Sequence, residues 1–220
     1  MPPMNILTMF ATLRRQVHGF QVPLINLIMQ EFGHDPYLIL VACLLSLRAR
    51  DVMTIHVCRE LFTQVKTPTQ LLFLPVEELE RIVYRTGYYK VKARVLREVS
   101  LELLNRFDGK VPETYESIIS IKGVGPKTAN LVLGLGFNVP GICVDTHVHR
   151  ISNRLGLIKT KTVEQTETAL KTVLPQDLWI EYNKLLVMWG QNVCAPISPR
   201  CSSCPLQELG CKRVGVKKSR

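Results

Sequence analysis

Apolar residues recur along most of the chain three or four positions apart: Val52, Ile55, Cys58, Phe62; Val76, Leu79, Ile82, Val83; Val91, Val95, Val99, Leu103; Val148, Ile151, Leu155; and Trp179, Tyr182, Leu186, Trp189. That spacing is one face of an α-helix, whereas strictly alternating runs, the mark of half-buried strands, are almost absent. Pro, Gly and polar clusters interrupt the pattern near residues 33–36, 66–69, 108–113, 138–141, 158–162 and 190–200. The pattern predicts an all-α protein of about ten helices, without repeats or low-complexity segments. After Gly190 the chain changes character, because cysteine and proline collect in a stretch with too few apolar residues to form a core. Something other than packing must hold it.

A chain of 220 residues has room for one or two domains. A protein of that size takes roughly 70% of its unfolded surface out of water, so disulfides are not needed. With 46% hydrophobic and 21% charged residues, disordered, collagen-like and fibrous classes are excluded. Lys+Arg 28 against Asp+Glu 18 leaves a net charge of +10 and a pI near 9.4, which favours a polyanionic partner such as nucleic acid, an anionic membrane or an acidic protein. Lys212, Arg213, Lys217, Lys218 and Arg220 follow the last cysteine with no acid among them, so residues 212–220 read as a solvated basic tail carrying half of that charge. The longest uncharged apolar run, 37–47, is too short to cross a membrane, and the run 128–144 is broken by Gly134, Gly136, Asn138, Pro140 and Gly141. No membrane partner is expected. Arg14 and Arg15 follow the first apolar run, the reverse of a secretory signal, which points to an intracellular protein that is not secreted.

Four of the seven cysteines fall within 18 residues as Cys194-x6-Cys201-x2-Cys204-x6-Cys211. In a reducing compartment this grouping points to metal ligation rather than disulfides. The x2 spacing lets one turn aim two sulfurs at a common metal, and four thiolates suit either zinc or an iron–sulfur cluster. Cys43, Cys58 and Cys143 stand apart and read as small core residues.

Residues 118–129 read Ile-Ile-Ser-Ile-Lys-Gly-Val-Gly-Pro-Lys-Thr-Ala: an apolar helix end, a Gly-x-Gly turn, and a second helix with Pro126 in its first turn. The two glycines allow close approach of another surface, and the helix amides beyond them offer a cradle for phosphate. A tight corner between helices is the plainer reading, but Lys127 directly after the turn, on a basic chain, favours the cradle. Residues 144–150 read Val-Asp-Thr-His-Val-His-Arg and set Asp145 just before a helix, where aspartate is a favoured cap. A cap alone and a chemical role both fit. A metal site of Asp145, His147 and His149 is the weaker option, because histidines two apart diverge on a helix.

The Gly-Val-Gly-x-Lys-Thr-Ala hairpin, the Val-Asp-Thr-His segment about 20 residues later and the four-cysteine group together closely resemble the endonuclease III branch of the helix–hairpin–helix DNA glycosylases, from Leu24 to Cys211. The resemblance implies two all-α domains. A helical barrel over 26–139 carries the helix–hairpin–helix at about 115–134, and a cluster domain is built from both chain ends, 1–25 and 140–211, with 212–220 as the basic tail. It also implies a [4Fe–4S] cluster on Cys194, Cys201, Cys204 and Cys211, with zinc less favoured; the family's last cysteine gap is x5 where this chain has x6. The implied partner is double-stranded DNA containing a damaged base or an abasic site, met by a monomer that is cytoplasmic or nucleoid-associated. By position, Lys127 matches the family's nucleophilic lysine and Asp145 its essential aspartate. A lysine amine attacks a sugar C1′ only when neutral, a form that a positive, partly desolvated helix start favours, and a carboxylate beside the sugar stabilises charge as the base leaves. Lys122, Gly123, Val124, Gly125, Thr128 and, in the cysteine loop, Arg200 are implied DNA contacts.

Two positions depart from the family. Arg48 stands where endonuclease III typically has a glutamine that fills the gap left by a flipped base, and Tyr88 replaces a leucine wedge. Gly87-Tyr88-Tyr89 is similar to the adenine and mismatch branches, which generally lack the lysine; for Tyr88, a half-buried core position is the plainer alternative. The implied activity is base excision with abasic-site lyase on oxidised pyrimidines, or alternatively a G·T or G·U mismatch glycosylase. A non-catalytic DNA-binding protein with a structural metal site would have no use for Lys127 and Asp145 together. An iron–sulfur electron carrier would need neither the hairpin nor the charge.

Overall fold

In a computed structural model, which describes residues 4–220, the protein consists of helices and loops, with no strand among the described residues. The helices are α1 (Ile6–Gln16), α2 (Leu24–Phe32), α3 (Pro36–Ser46), α4 (Asp51–Phe62), α5 (Pro68–Phe73), α6 (Val76–Val83), α7 (Tyr89–Phe107), α8 (Tyr115–Ile119), α9 (Pro126–Phe137), α10 (Thr146–Leu155), α11 (Val163–Val173) and α12 (Trp179–Asn192). Short 3-10 turns at Tyr84–Thr86 and Gln176–Leu178 precede α7 and α12. Helix starts follow local chemistry. Asn5, Asp35, Thr67, Thr114, Asp145 and Thr162 each accept a first-turn amide with the side chain, satisfying donors that have no partner inside the helix.

The chain divides into two compact units, one Pro23–Val139 and the other the residues up to Val22 together with Pro140–Arg220. Residues 1–3 of the expected 1–25 arm lie outside the described residues. In the central unit α3 is the axis. Its residues Tyr37 to Leu45 are all buried, as a helix apolar on every side requires, and α2, α4, α7 and α9 pack around it. Cys43 and Cys58 are among the core side chains here. The flanking unit packs α12 against α1 and α10, with Phe10, Ile151, Tyr182, Leu186 and Trp189 at its centre.

The helical pattern located most elements but misassigned one face. Along α7 the row Val91, Val95, Val99, Leu103 steps by four where a helix turns every 3.6 residues, so it drifts around the cylinder by about 40° per step. Val91 is accordingly 49% exposed. The buried row runs instead through Lys92, Ala93, Leu96, Val99, Ser100 and Leu103, which brings a lysine into the interior.

The last nine residues are exposed apart from Val216, which is intermediate, as their charge suggests, but their backbone is tied down. Lys212 and Val214 donate backbone N–H groups to Leu155 and Arg154 at the end of α10, Ser202 N–H donates to the carbonyl of Arg220, and Arg220 N–H donates to Pro199. The side chain of Lys212 lies across Gly156, where a Cβ would meet its Cδ at 2.4 Å. The tail is therefore fastened over the cysteine segment. None of the described helices is long and apolar enough to cross a membrane.

Candidate functional site

In the central unit, α8 ends at Ile119, and Ile121 and Val124 close the hairpin through backbone bonds to Ile118 and Ile121. Gly123 takes φ +94, a conformation that a side chain would strain, and a Cβ there would meet Val95 Cγ1 at 3.1 Å. Gly125 differs. Its φ is −95 in an extended N-cap position, and a Cβ there would meet no atom of the chain within 4 Å. Neither backbone conformation nor internal packing demands glycine at 125, and the backbone there is left bare. Pro126 opens α9 and Lys127 follows, exposed in the first helical turn. The charge of Lys127 reaches Cys43 on α3, whose thiol burial pushes up to about 12 while the lysine draws it down.

The other hairpin residues divide. Lys122 is exposed, and its N–H donates to Glu102 Oε2 at 3.1 Å. Val124 and Thr128 are buried, so their side chains do not present a surface to a partner.

Arg48 and Arg50 line one open cavity with Met53, Arg85, Thr86 and Gly87. Arg48 and Tyr88 both hold left-handed backbone, with φ of 54 and 50, a state that costs a side-chain-bearing residue on the order of 1 kcal/mol or more and persists where the surroundings over-determine it. Tyr88 is 65% exposed, not a half-buried core tyrosine. An aromatic ring and an arginine fork thus stand on the surface at two neighbouring strained turns.

In the flanking unit Asp145 is the N-cap of α10. Its Oδ1 accepts the N–H groups of His147 and Val148, both at 2.9 Å. The two histidines diverge, with His149 Nδ1 on Thr166 Oγ1 at 2.7 Å and His147 Nδ1 3.2 Å from the Arg150 guanidinium. They do not form a metal site with Asp145.

Cys194, Cys201, Cys204 and Cys211 line one cavity, with Ile151, Leu155, Trp189, Leu206 and Val216 as apolar walls and Arg200 among the lining residues. Burial pushes Cys204 up to about 11 and also raises Cys211, and the neighbouring thiols act in the same direction. Raised in this way, Cys204 and Cys211 lose their protons more readily when a cation supplies the compensating charge. Among the described residues, no three His, Cys, Asp or Glu are grouped to hold a metal ion. Arg200 is exposed at the cavity's edge.

Two residues that hold this segment escaped the sequence reading. Arg154 donates to the carbonyls of Ala195 and Pro196 at 2.6 and 2.7 Å and to Cys194 Sγ at 3.5 Å. Arg150 donates to the Cys194 carbonyl at 2.9 Å. Their only signal is an i, i+4 arginine pair on α10, about 40 residues before the segment they hold. In the central unit Lys92 also escaped the sequence reading, marked only by its place in the buried row of α7.

Residues 41–176 match the family described as HhH-GPD superfamily base excision DNA repair protein. Endonuclease III of Thermotoga maritima is 43% identical over 173 residues, which cover 79% of this chain and 81% of that relative. Among solved structures, a non-covalent endonuclease III–DNA complex matches with a TM-score of 0.75 at 32% identity, covering 86% of this chain and 92% of the other. A trapped endonuclease III–DNA covalent intermediate, an estranged-adenine complex, matches to the same degree.

Proposed function

The chain belongs to the HhH-GPD superfamily of base excision DNA repair proteins, and we propose that it removes oxidised pyrimidines from double-stranded DNA and cuts the strand at the resulting abasic site through a lysine Schiff base. It is a base-excision DNA glycosylase and lyase, as are the endonuclease III relatives it matches along most of its length. The observation that supports the finer reading is Lys127, exposed in the first turn of α9 two residues after Gly125, where a Cβ would meet no atom of the chain within 4 Å.

The chemistry assigns each residue a task. The neutral amine of Lys127 attacks C1′ as the base departs with the electrons of the glycosidic bond and takes up a proton. The added nitrogen sheds a proton, C1′–O4′ breaks with O4′ protonated to leave an iminium at C1′, and loss of the acidified C2′–H then expels the 3′ phosphate. Asp145 stabilises positive charge on the sugar as the base leaves. The base must first leave the stack. Tyr88 then fills the gap, and Arg48 reaches the orphaned partner; an arginine fork matches two acceptors of guanine. The hairpin backbone from Gly123 to Thr128, Lys122 and Arg200 hold phosphates without reading sequence.

Cys194, Cys201, Cys204 and Cys211 hold a [4Fe–4S] cluster in this reading, supported by four thiols around one cavity with apolar walls. The cluster supplies the cross-link that organises a segment without a core of its own. Purified protein is expected to be yellow-brown with iron and sulfide near four per chain, and colourless protein with one zinc would overturn the assignment.

A second reading, a G·T or G·U mismatch glycosylase, is favoured by the exposed Tyr88 in Gly87-Tyr88-Tyr89. The deciding experiment incubates the protein with duplexes carrying thymine glycol, uracil, a G·T mismatch or an abasic site, with borohydride present. A covalent adduct on thymine glycol that disappears in Lys127→Gln supports the proposal. Base release from G·T or G·U alone selects the second reading.

A further inference from the structure

We propose that Lys92 is a positioning residue, a buried brace that ties the turn carrying Arg48 to the turn carrying Tyr88 and so sets how the enzyme fills the gap in the duplex and reads the orphaned base. The inference rests on the roles proposed above for Arg48 and Tyr88.

Lys92 is 8% exposed in the first turn of α7. Its Nζ donates to the carbonyl of Leu45 at 2.7 Å and to that of Thr86 at 2.9 Å. Leu45 lies in the last turn of α3, three residues before Arg48, and Thr86 ends the 3-10 turn, two residues before Tyr88. The backbone N–H of Lys92 closes the same corner by donating to Tyr88 O at 3.0 Å. One side chain therefore bonds both turns, in a corner where both exposed residues hold left-handed backbone.

A core position that needed only volume would be filled by leucine or methionine, since a buried ammonium is costly. Burial alone accounts for the lowered proton affinity of this lysine, which falls to about 8. What the ammonium provides and an apolar chain does not is several donors at one point, aimed at carbonyls that helix ends leave without intrahelical partners, at the negative end of α3. Strained conformations persist where neighbouring structure over-determines them, and Lys92 is the group shared by the two turns.

The test compares the parent with Lys92→Met, Lys92→Gln, Arg48→Gln and Tyr88→Ala, each checked for folding by circular dichroism. Hydrogen exchange is followed at the amides of residues 45–50 and 84–89. Single-turnover base release is measured opposite G and opposite A, with 2-aminopurine beside the lesion reporting on opening of the duplex. Lys92→Met is expected to speed exchange in both turns together and to lower the G-over-A preference about tenfold, within the range of one bidentate base contact. Added to Arg48→Gln, it is expected to cost no further preference. Unchanged exchange in either turn overturns the brace, and faster exchange with parental preference and parental opening overturns its positioning role. Should Lys92→Met not fold, Lys92→Gln, a shorter side chain that keeps N–H donors without the charge, decides by the same criteria with a smaller loss. If Arg48→Gln and Tyr88→Ala both leave preference and opening at parental values, the reading of those two residues fails, while the exchange data still judge the brace itself.

Discussion

Asp145 is a helix cap in the structure and the catalytic carboxylate in the proposed function, and Asp145→Asn separates the two roles. As a cap, Asp145 accepts two amides at 2.9 Å through a single oxygen. Asparagine keeps an amide oxygen there and is an equally favoured cap, so those bonds survive. What is lost is one negative charge at the start of α10, worth about 0.3–1 kcal/mol. For a chain of this size, that lowers the melting temperature by about 1–4 °C. As a catalytic group, the carboxylate faces positive charge that develops on the sugar, and removing one such stabiliser typically costs on the order of a hundredfold to a thousandfold in rate. The assay pairs thermal melting with single-turnover base release from a thymine glycol duplex. The expected result is near-parental melting with base release down by about two orders of magnitude. Asp145→Ala supplies the contrast, because it loses the cap as well and is expected to melt lower by about 1 kcal/mol of stability. An Asp145→Asn enzyme that melts normally and releases base at the parental rate would reduce Asp145 to a helix cap.

Other outcomes follow from the same geometry. Gly125→Ala adds a methyl group that no atom of the chain meets within 4 Å, so stability is expected to change by no more than about 1 kcal/mol while duplex affinity falls about tenfold by titration at fixed salt; unchanged affinity would remove the phosphate cradle. Gly123→Ala, at φ +94 and 3.1 Å from Val95, is expected instead to cost about 1–3 kcal/mol in urea unfolding. Arg154→Met strips two short bonds from the loop at Ala195 and Pro196, and a loss of about 1–3 kcal/mol is expected, with faster bleaching of the visible absorbance in urea; equal bleaching would show that the cysteines hold the loop unaided. Lys92 has a folded value near 8 against 10.5 unfolded, so between these the unfolded chain binds the extra proton and stability climbs with pH. Relative to Lys92→Met, the parent is expected to gain at most about 3 kcal/mol across that window, and parallel urea profiles at the two ends would contradict the burial of that charge.

Elements governed by local chemistry were legible along the chain. The helix breaks at proline and glycine, the cap residues, the hairpin read from Gly123, Gly125 and Pro126, and the crowding of Cys194, Cys201, Cys204 and Cys211 all depend on neighbours a few positions away. Periodicity marked α7 as a helix, but it chose Val91 over Lys92, because a four-residue step and the true turn diverge over nineteen residues and only the packed partners reveal which face wins. Long-range pairing decided the rest. The brace from Lys92 to Leu45 spans 47 positions, the clasp of Arg154 on Ala195 spans 41, and the charged tail folds back because its backbone meets unpaired groups at Leu155, Pro199 and Ser202. Charge count marked a solvated tail, and its residues are largely exposed, but counting charges carries no information about which backbone groups another segment leaves unpaired. What a residue is made of set the chemistry available at each position, and which distant carbonyl lay within 3 Å of it decided whether that chemistry became a contact, a brace or a bare surface for DNA.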